Sequence, residues 1–152
     1  MKKLQIVLNF LCYLESFKSK FKNLHWSAAN LTYHRAIDEL LDDLNEFQDE
    51  VAETFQGFLG EQFQPNFLVG RPSIKSICPM ETICLLIEAV DGFCETFKDD
   101  YKLNGILNSI NDFQQELLKH RYLFMLAEKD GGKIYTPAKA GSRTLGDLLT
   151  SL

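Results

Sequence analysis

The chain has 152 residues, which fits one domain of ordinary size and leaves little room for two. Hydrophobic residues make up 45% and charged residues 24%, which excludes a chain disordered by composition. A net charge of −5 excludes, as a default, a body that is one broad phosphate-binding patch. Met1-Lys2-Lys3 and the apolar residues after it faintly imitate a secretory signal, but Gln5 and Asn9 interrupt the run and no small-x-small site follows. No stretch approaches the ~18 apolar residues of a membrane span.

The first predicted helix covers about Lys3 to Leu24. Leu4, Val7, Leu11, Leu14 and Phe21 recur at helical steps, with Phe10, Phe17 and Leu24 beside them. The second covers about Thr32 to Phe58, with Asn30 or Thr32 as its cap. Ile37, Leu40, Leu41, Leu44, Phe47, Val51 and Phe55 form its stripe, its other face is crowded with Asp and Glu, and Gly57 and Gly60 end it.

From Gly60 to Cys78 a linker with Pro65, Gly70 and Pro72 reads as a long crossover. The third helix starts at Pro79, a good first-turn residue, and carries Ile83, Ile87, Val90, Cys94, Phe97 and Tyr101. The fourth runs from about Leu103 to Ala127 after a short connection at Asp99, Asp100 and Asn104. Residues 129–152 lack a long periodic pattern and read as an irregular tail, with Thr144 to Leu149 as a last helical turn. The expectation is an all-α four-helix bundle over 1–128 with a C-terminal tail over 129–152. Two helices, a long crossover and two more helices is the ferritin-like arrangement.

Cys12, Cys78, Cys84 and Cys94 form no C-x-x-C pair and read as buried free thiols of a reducing, cytoplasmic compartment.

His34 and Asp38 are four apart, as are Asp49 and Glu53. Each pair lies on one helical face and can chelate one cation. At about 100° per residue, with His34 as zero, Asp38 lies near ~40°, Asp49 near ~60° and Glu53 near ~100°, while the apolar stripe spans roughly 220° to 340°. The two pairs stand about 16 Å apart along the axis. One helix cannot bring both onto one metal, but a second copy across a two-fold axis can. Imidazole with carboxylates suits Fe(II), zinc or manganese. His25, near the end of the first helix, can add a nitrogen. The acidic residues Asp42, Asp43, Glu46 and Glu50 read as a solvated face, and Glu116 with His120 is another i,i+4 pair, ranked below the first two as a metal site.

Leu24-His25-Trp26-Ser27, then Tyr33-His34-Arg35-Ala36-Ile37-Asp38-Glu39, then Asp49-Glu50-Val51-Ala52-Glu53 resembles the signature of Dps-type miniferritins. That pattern is a His-Trp pair, His-x-x-x-Asp, a ten-residue gap and Asp-x-x-x-Glu. The resemblance covers roughly Leu24 to Gly60. It implies an iron-oxidising, iron-storing homo-oligomer, a dodecamer built from two-fold dimers, that limits peroxide damage. It implies that His25, His34 and Asp38 of one subunit and Asp49 and Glu53 of its partner hold the iron and act in its oxidation, with Trp26 shielding against radicals. The Glu-x-x-His motif of ordinary di-iron ferritin-like bundles is absent from the chain. The chain departs from the miniferritin pattern in two ways. The loop between His25 and His34 is about three residues shorter and lacks a glycine, and no lysine-rich N-terminal arm is present. DNA binding, common in the family, is therefore not favoured, although the tail is mildly basic. The competing expectation is a non-catalytic structural or interaction subunit of a larger assembly.

Overall fold

The computed structural model describes residues 2–64, 66–69 and 72–130. Four helices account for most of them: α1 (Lys3–Trp26), α2 (Leu31–Leu59), α3 (Pro79–Phe97) and α4 (Asn104–Asp130). Single 3-10 turns stand at Phe67–Val69 and Tyr101–Leu103, and no strand occurs among the described residues. The chain is an all-α bundle.

Local chemistry sets the boundaries. Asn30 adopts an extended conformation and its side chain accepts a hydrogen bond from the Tyr33 amide, capping α2. Gly60 closes α2 in the left-handed conformation at φ 68°, and its amide bonds the Gln56 carbonyl. A Cβ at Gly60 would meet nothing within 4 Å, so the glycine serves the backbone angle alone. Gly60→Ala should lower stability by about 1 kcal/mol in urea denaturation. Gly57→Ala, in the helix and equally uncrowded, should instead be neutral or stabilising. At α3 the Cys78 side chain caps by accepting from the Glu81 amide, and Pro79 takes the first turn, where it forfeits no hydrogen bond.

Cross-helix bonds fix the directions. Lys3 at the start of α1 pairs with Asp100, just past the end of α3, so these helices are antiparallel. Asn30 Nδ2 donates to the Ala127 carbonyl at 3.0 Å, and the Tyr33 hydroxyl to Glu128 at 2.9 Å. The start of α2 thus meets the end of α4. Consequently α2 and α3 run the same way, and the connection between them travels the length of the bundle. It passes over the middle of α1, where Cys12 Sγ donates to the Phe67 carbonyl.

The interior is rich in phenylalanine. Phe10, Phe17, Phe21, Phe55, Phe93 and Phe124 are among the largest fully buried side chains. Phe10 of α1 stacks on Phe93 of α3 at 3.9 Å, and Phe47 of α2 on Phe113 of α4 at 3.8 Å. These two face-to-face pairs tie the helices across the bundle.

Helix α4 extends to Asp130, past the expected end at Ala127. Lys129 and Asp130 are helical, and Thr32 Oγ1 donates to Asp130 Oδ2 at 2.5 Å. The rest of the expected tail, including Thr144 to Leu149, lies outside the described residues. No helix among the described residues is long and apolar enough to cross a membrane.

Candidate functional site

His25 occupies the last turn of α1 and His34 the first turns of α2. The short connection 27–30 folds the two turns together. The imidazoles stack with centroids 3.8 Å apart and planes inclined by 30°. His25 Nδ1 lies 3.2 Å from the His34 carbonyl oxygen, and His34 Nδ1 lies 3.2 Å from the His25 carbonyl oxygen. A carbonyl only accepts, so each Nδ1 carries a proton, and in the neutral form of each imidazole Nε2 keeps a lone pair. A hydrogen bond that fixes the tautomer in this way is the usual outer-shell support of a metal-binding histidine.

Asp38 stands one turn along α2, with Oδ1 3.6 Å from His25 Nδ1. Its side chain is 66% exposed, whereas that of His25 is 15% exposed. Asp49 and Glu53 are exposed farther along the same helix. α2 is continuous from Leu31 to Leu59, so the offset of about 16 Å between the two pairs holds. The fold therefore gathers His25, His34 and Asp38 and leaves Asp49 and Glu53 apart. Among the described residues no three His, Cys, Asp or Glu side chains converge closely enough to hold a metal ion. Within one chain, Asp38 faces the protonated nitrogen of His25 rather than the lone pair at Nε2.

Other sequence expectations fall differently. Trp26, at the end of α1, is 73% exposed. His120 is buried, and it meets Asp43 across the α2–α4 interface rather than Glu116 on its own helix. The Nε2–Oδ2 distance is 2.5 Å, and a carboxylate acceptor places the proton on Nε2. Glu116 pairs with Lys119 instead.

Asp43 also lines a groove of about 200 Å³ between α2 and α4, with Glu46, Glu50, Asp112 and Glu116. It contains none of the five candidate residues. Part of the face read as merely solvated thus borders a shaped, acidic depression. Spacing along one helix gave no signal for it, because Asp112 and Glu116 arrive from α4.

Of the four cysteines only Cys12 is buried, and the other three are partly exposed. Burial pushes the Cys84 thiol up, with Arg121 pulling the other way. Burial, then Asp91 and Glu95, push the Cys94 thiol up. Both are poor thiolate nucleophiles, so neither is an activated catalytic cysteine.

No family model, no curated protein and no solved structure matches the chain.

Proposed function

We propose that the chain is a Dps-like, ferritin-like miniferritin that binds Fe(II), oxidises it with peroxide or dioxygen and sequesters the product. The observation that carries this reading is the histidine stack. Two imidazoles from different helices have both Nδ1 atoms tied to carbonyls and both Nε2 lone pairs free. Opposing α2 helices of two subunits would set His25, His34 and Asp38 of one against Asp49 and Glu53 of the other, giving two sites per dimer. Iron is the substrate; zinc and manganese suit the same donors. The carboxylates would hold the ferric product, since hard oxygen ligands favour the higher charge. The parallel course of α2 and α3, joined by a long connection, supports the ferritin-like arrangement.

Aerobic or peroxide-driven Fe(II) titration should give a fast ferric absorbance, with particles sized as a shell of twelve 17.4 kDa chains. Oxidation at the buffer rate would overturn the reading.

One observation favours a second reading, a non-catalytic structural or interaction subunit. Leu118, Tyr122, Met125 and Leu126 expose a continuous apolar stripe on α4. That reading expects a monomer or dimer without ferric absorbance.

A further inference from the structure

Helix α4 carries a second apolar face that the bundle does not use. Eight large hydrophobic side chains are exposed among the described residues, and four of them, Leu118, Tyr122, Met125 and Leu126, lie on α4. At about 100° per residue, with Leu118 as zero, Tyr122 falls near ~40°, Met125 near ~340° and Leu126 near ~80°. The buried Phe113, His120, Phe124 and Ala127 fall between roughly 180° and 240° on the same wheel. The stripe thus points away from the core, and the other three helices pack on the opposite side. It runs about 12 Å from Leu118 to Leu126 at the helical rise. A contiguous apolar face of this kind marks a surface that something covers.

The sequence beyond α4 supplies a matching surface. α4 ends at Asp130, and the chain continues with Gly131-Gly132, a residue type that lets the backbone turn back. Farther on, Leu145, Leu148, Leu149 and Leu152 recur at helical steps. That spacing puts all four on one side of a helical segment about 10 Å long, close to the length of the stripe. Asp147, Thr150 and Ser151 take the other side. Reach is ample. Residues 131–144 span up to about 45 Å when extended, and the centre of the stripe lies about 12 Å back from Asp130 along α4. A tether of that reach presents its leucines at an effective concentration on the order of millimolar, which favours this occupant over a separate protein.

We propose that residues 144–152 dock as an amphipathic segment on the exposed apolar face of α4 in the same chain. Leu145, Leu148, Leu149 and Leu152 leave water against Leu118, Tyr122, Met125 and Leu126, which is the way an amphipathic helix is commonly recognised. Covering the stripe in this way removes an apolar surface through which copies of the chain would otherwise associate. None of the five candidate metal residues belongs to either surface, so the docking goes beyond the iron reading and does not depend on it.

The photoreactive amino acid p-benzoylphenylalanine, placed at the exposed position of Tyr122 in the full chain, reports what lies on the stripe. Irradiation should give mainly a product of single-chain size on denaturing gels, with the cross-link mapped by mass spectrometry to residues 144–152. Leu148→Ser with Leu149→Ser, two changes outside the four helices, should lower that product at least about tenfold. Thr150→Ala, on the other side of the segment, should leave it unchanged. Cross-links that run between chains would put a second copy on the stripe and overturn the proposal. The absence of any cross-link to residues 144–152, or one that the two leucine changes leave unaltered, would overturn it as well. Because no iron enters, this result is independent of Fe(II) oxidation, and the two readings fail separately.

Discussion

Chains carrying His34→Ala and chains carrying Asp49→Ala should each oxidise iron poorly, and mixing them under conditions that re-form dimers should restore activity. The reason is the offset of the two pairs along α2, about 16 Å at the helical rise. A site that draws His34 from one subunit and Asp49 from the other is sorted by mixing. In a mixed dimer one site collects both substitutions and the other collects neither. With equal amounts and random pairing, about one quarter of all sites regain the full ligand set. Outer-shell changes at metal sites already cost about 10–100-fold, so loss of a direct ligand should cost each single variant at least about tenfold. The mixture should therefore rise clearly above both parents in initial ferric absorbance. A chain carrying both substitutions, mixed with either single variant, cannot assemble an intact site and serves as the control. Activity of the mixture no higher than the mean of the two parents would refute the shared site.

The helices were legible because their signals are local. Asn30, Gly60 and Pro79 each act on the backbone within a turn, and each caps or opens the helix its residue type predicts. The apolar stripes report which face is buried, and Ile37, Leu40, Leu44, Phe47, Val51 and Phe55 are buried as their spacing requires. What periodicity does not report is the partner across an interface. His120 lies four residues from Glu116, yet its carboxylate partner is Asp43, seventy-seven positions away in sequence. The stack of His25 on His34 joins two helix ends through a turn, and arithmetic on one helix cannot supply the pairing. The last residues of α4 were assigned to the tail because they carry no apolar repeat. Hydrogen bonds from Thr32 and Tyr33 to Asp130 and Glu128 anchor that turn, and the cause lies at the start of another helix. Trp26 is a similar case, since residue type alone favours burial while its position at the exit of α1 leaves it in solvent.

Phe93→Ala should be the most damaging single change to stability. Phe93 is fully buried and touches rings from three helices. It stacks on Phe10 of α1 at 3.9 Å and 5°, meets Phe55 of α2 at 5.7 Å, and meets Phe97 of its own helix at 5.2 Å. Truncation removes the transfer free energy of the ring and leaves a cavity that three helices cannot all close at once. A loss of about 3–5 kcal/mol is expected, a large part of the roughly 5–15 kcal/mol that holds an ordinary domain together. Tyr101→Ala, at a residue 75% exposed, should change stability by less than about 0.5 kcal/mol. Urea denaturation followed by circular dichroism measures both. The two ends of the bundle then separate stability from function. Phe93 lies near the end where Lys3 meets Asp100, whereas His25 and His34 lie at the opposite end, where Asn30 meets Ala127. Below its denaturation midpoint, Phe93→Ala should thus oxidise iron close to the wild-type rate. A fall in that rate while the helical signal persists would show that the histidine stack depends on packing at the far end of the bundle. It would also mean that the contacts between the starts and ends of α2 and α4 do not suffice to position it.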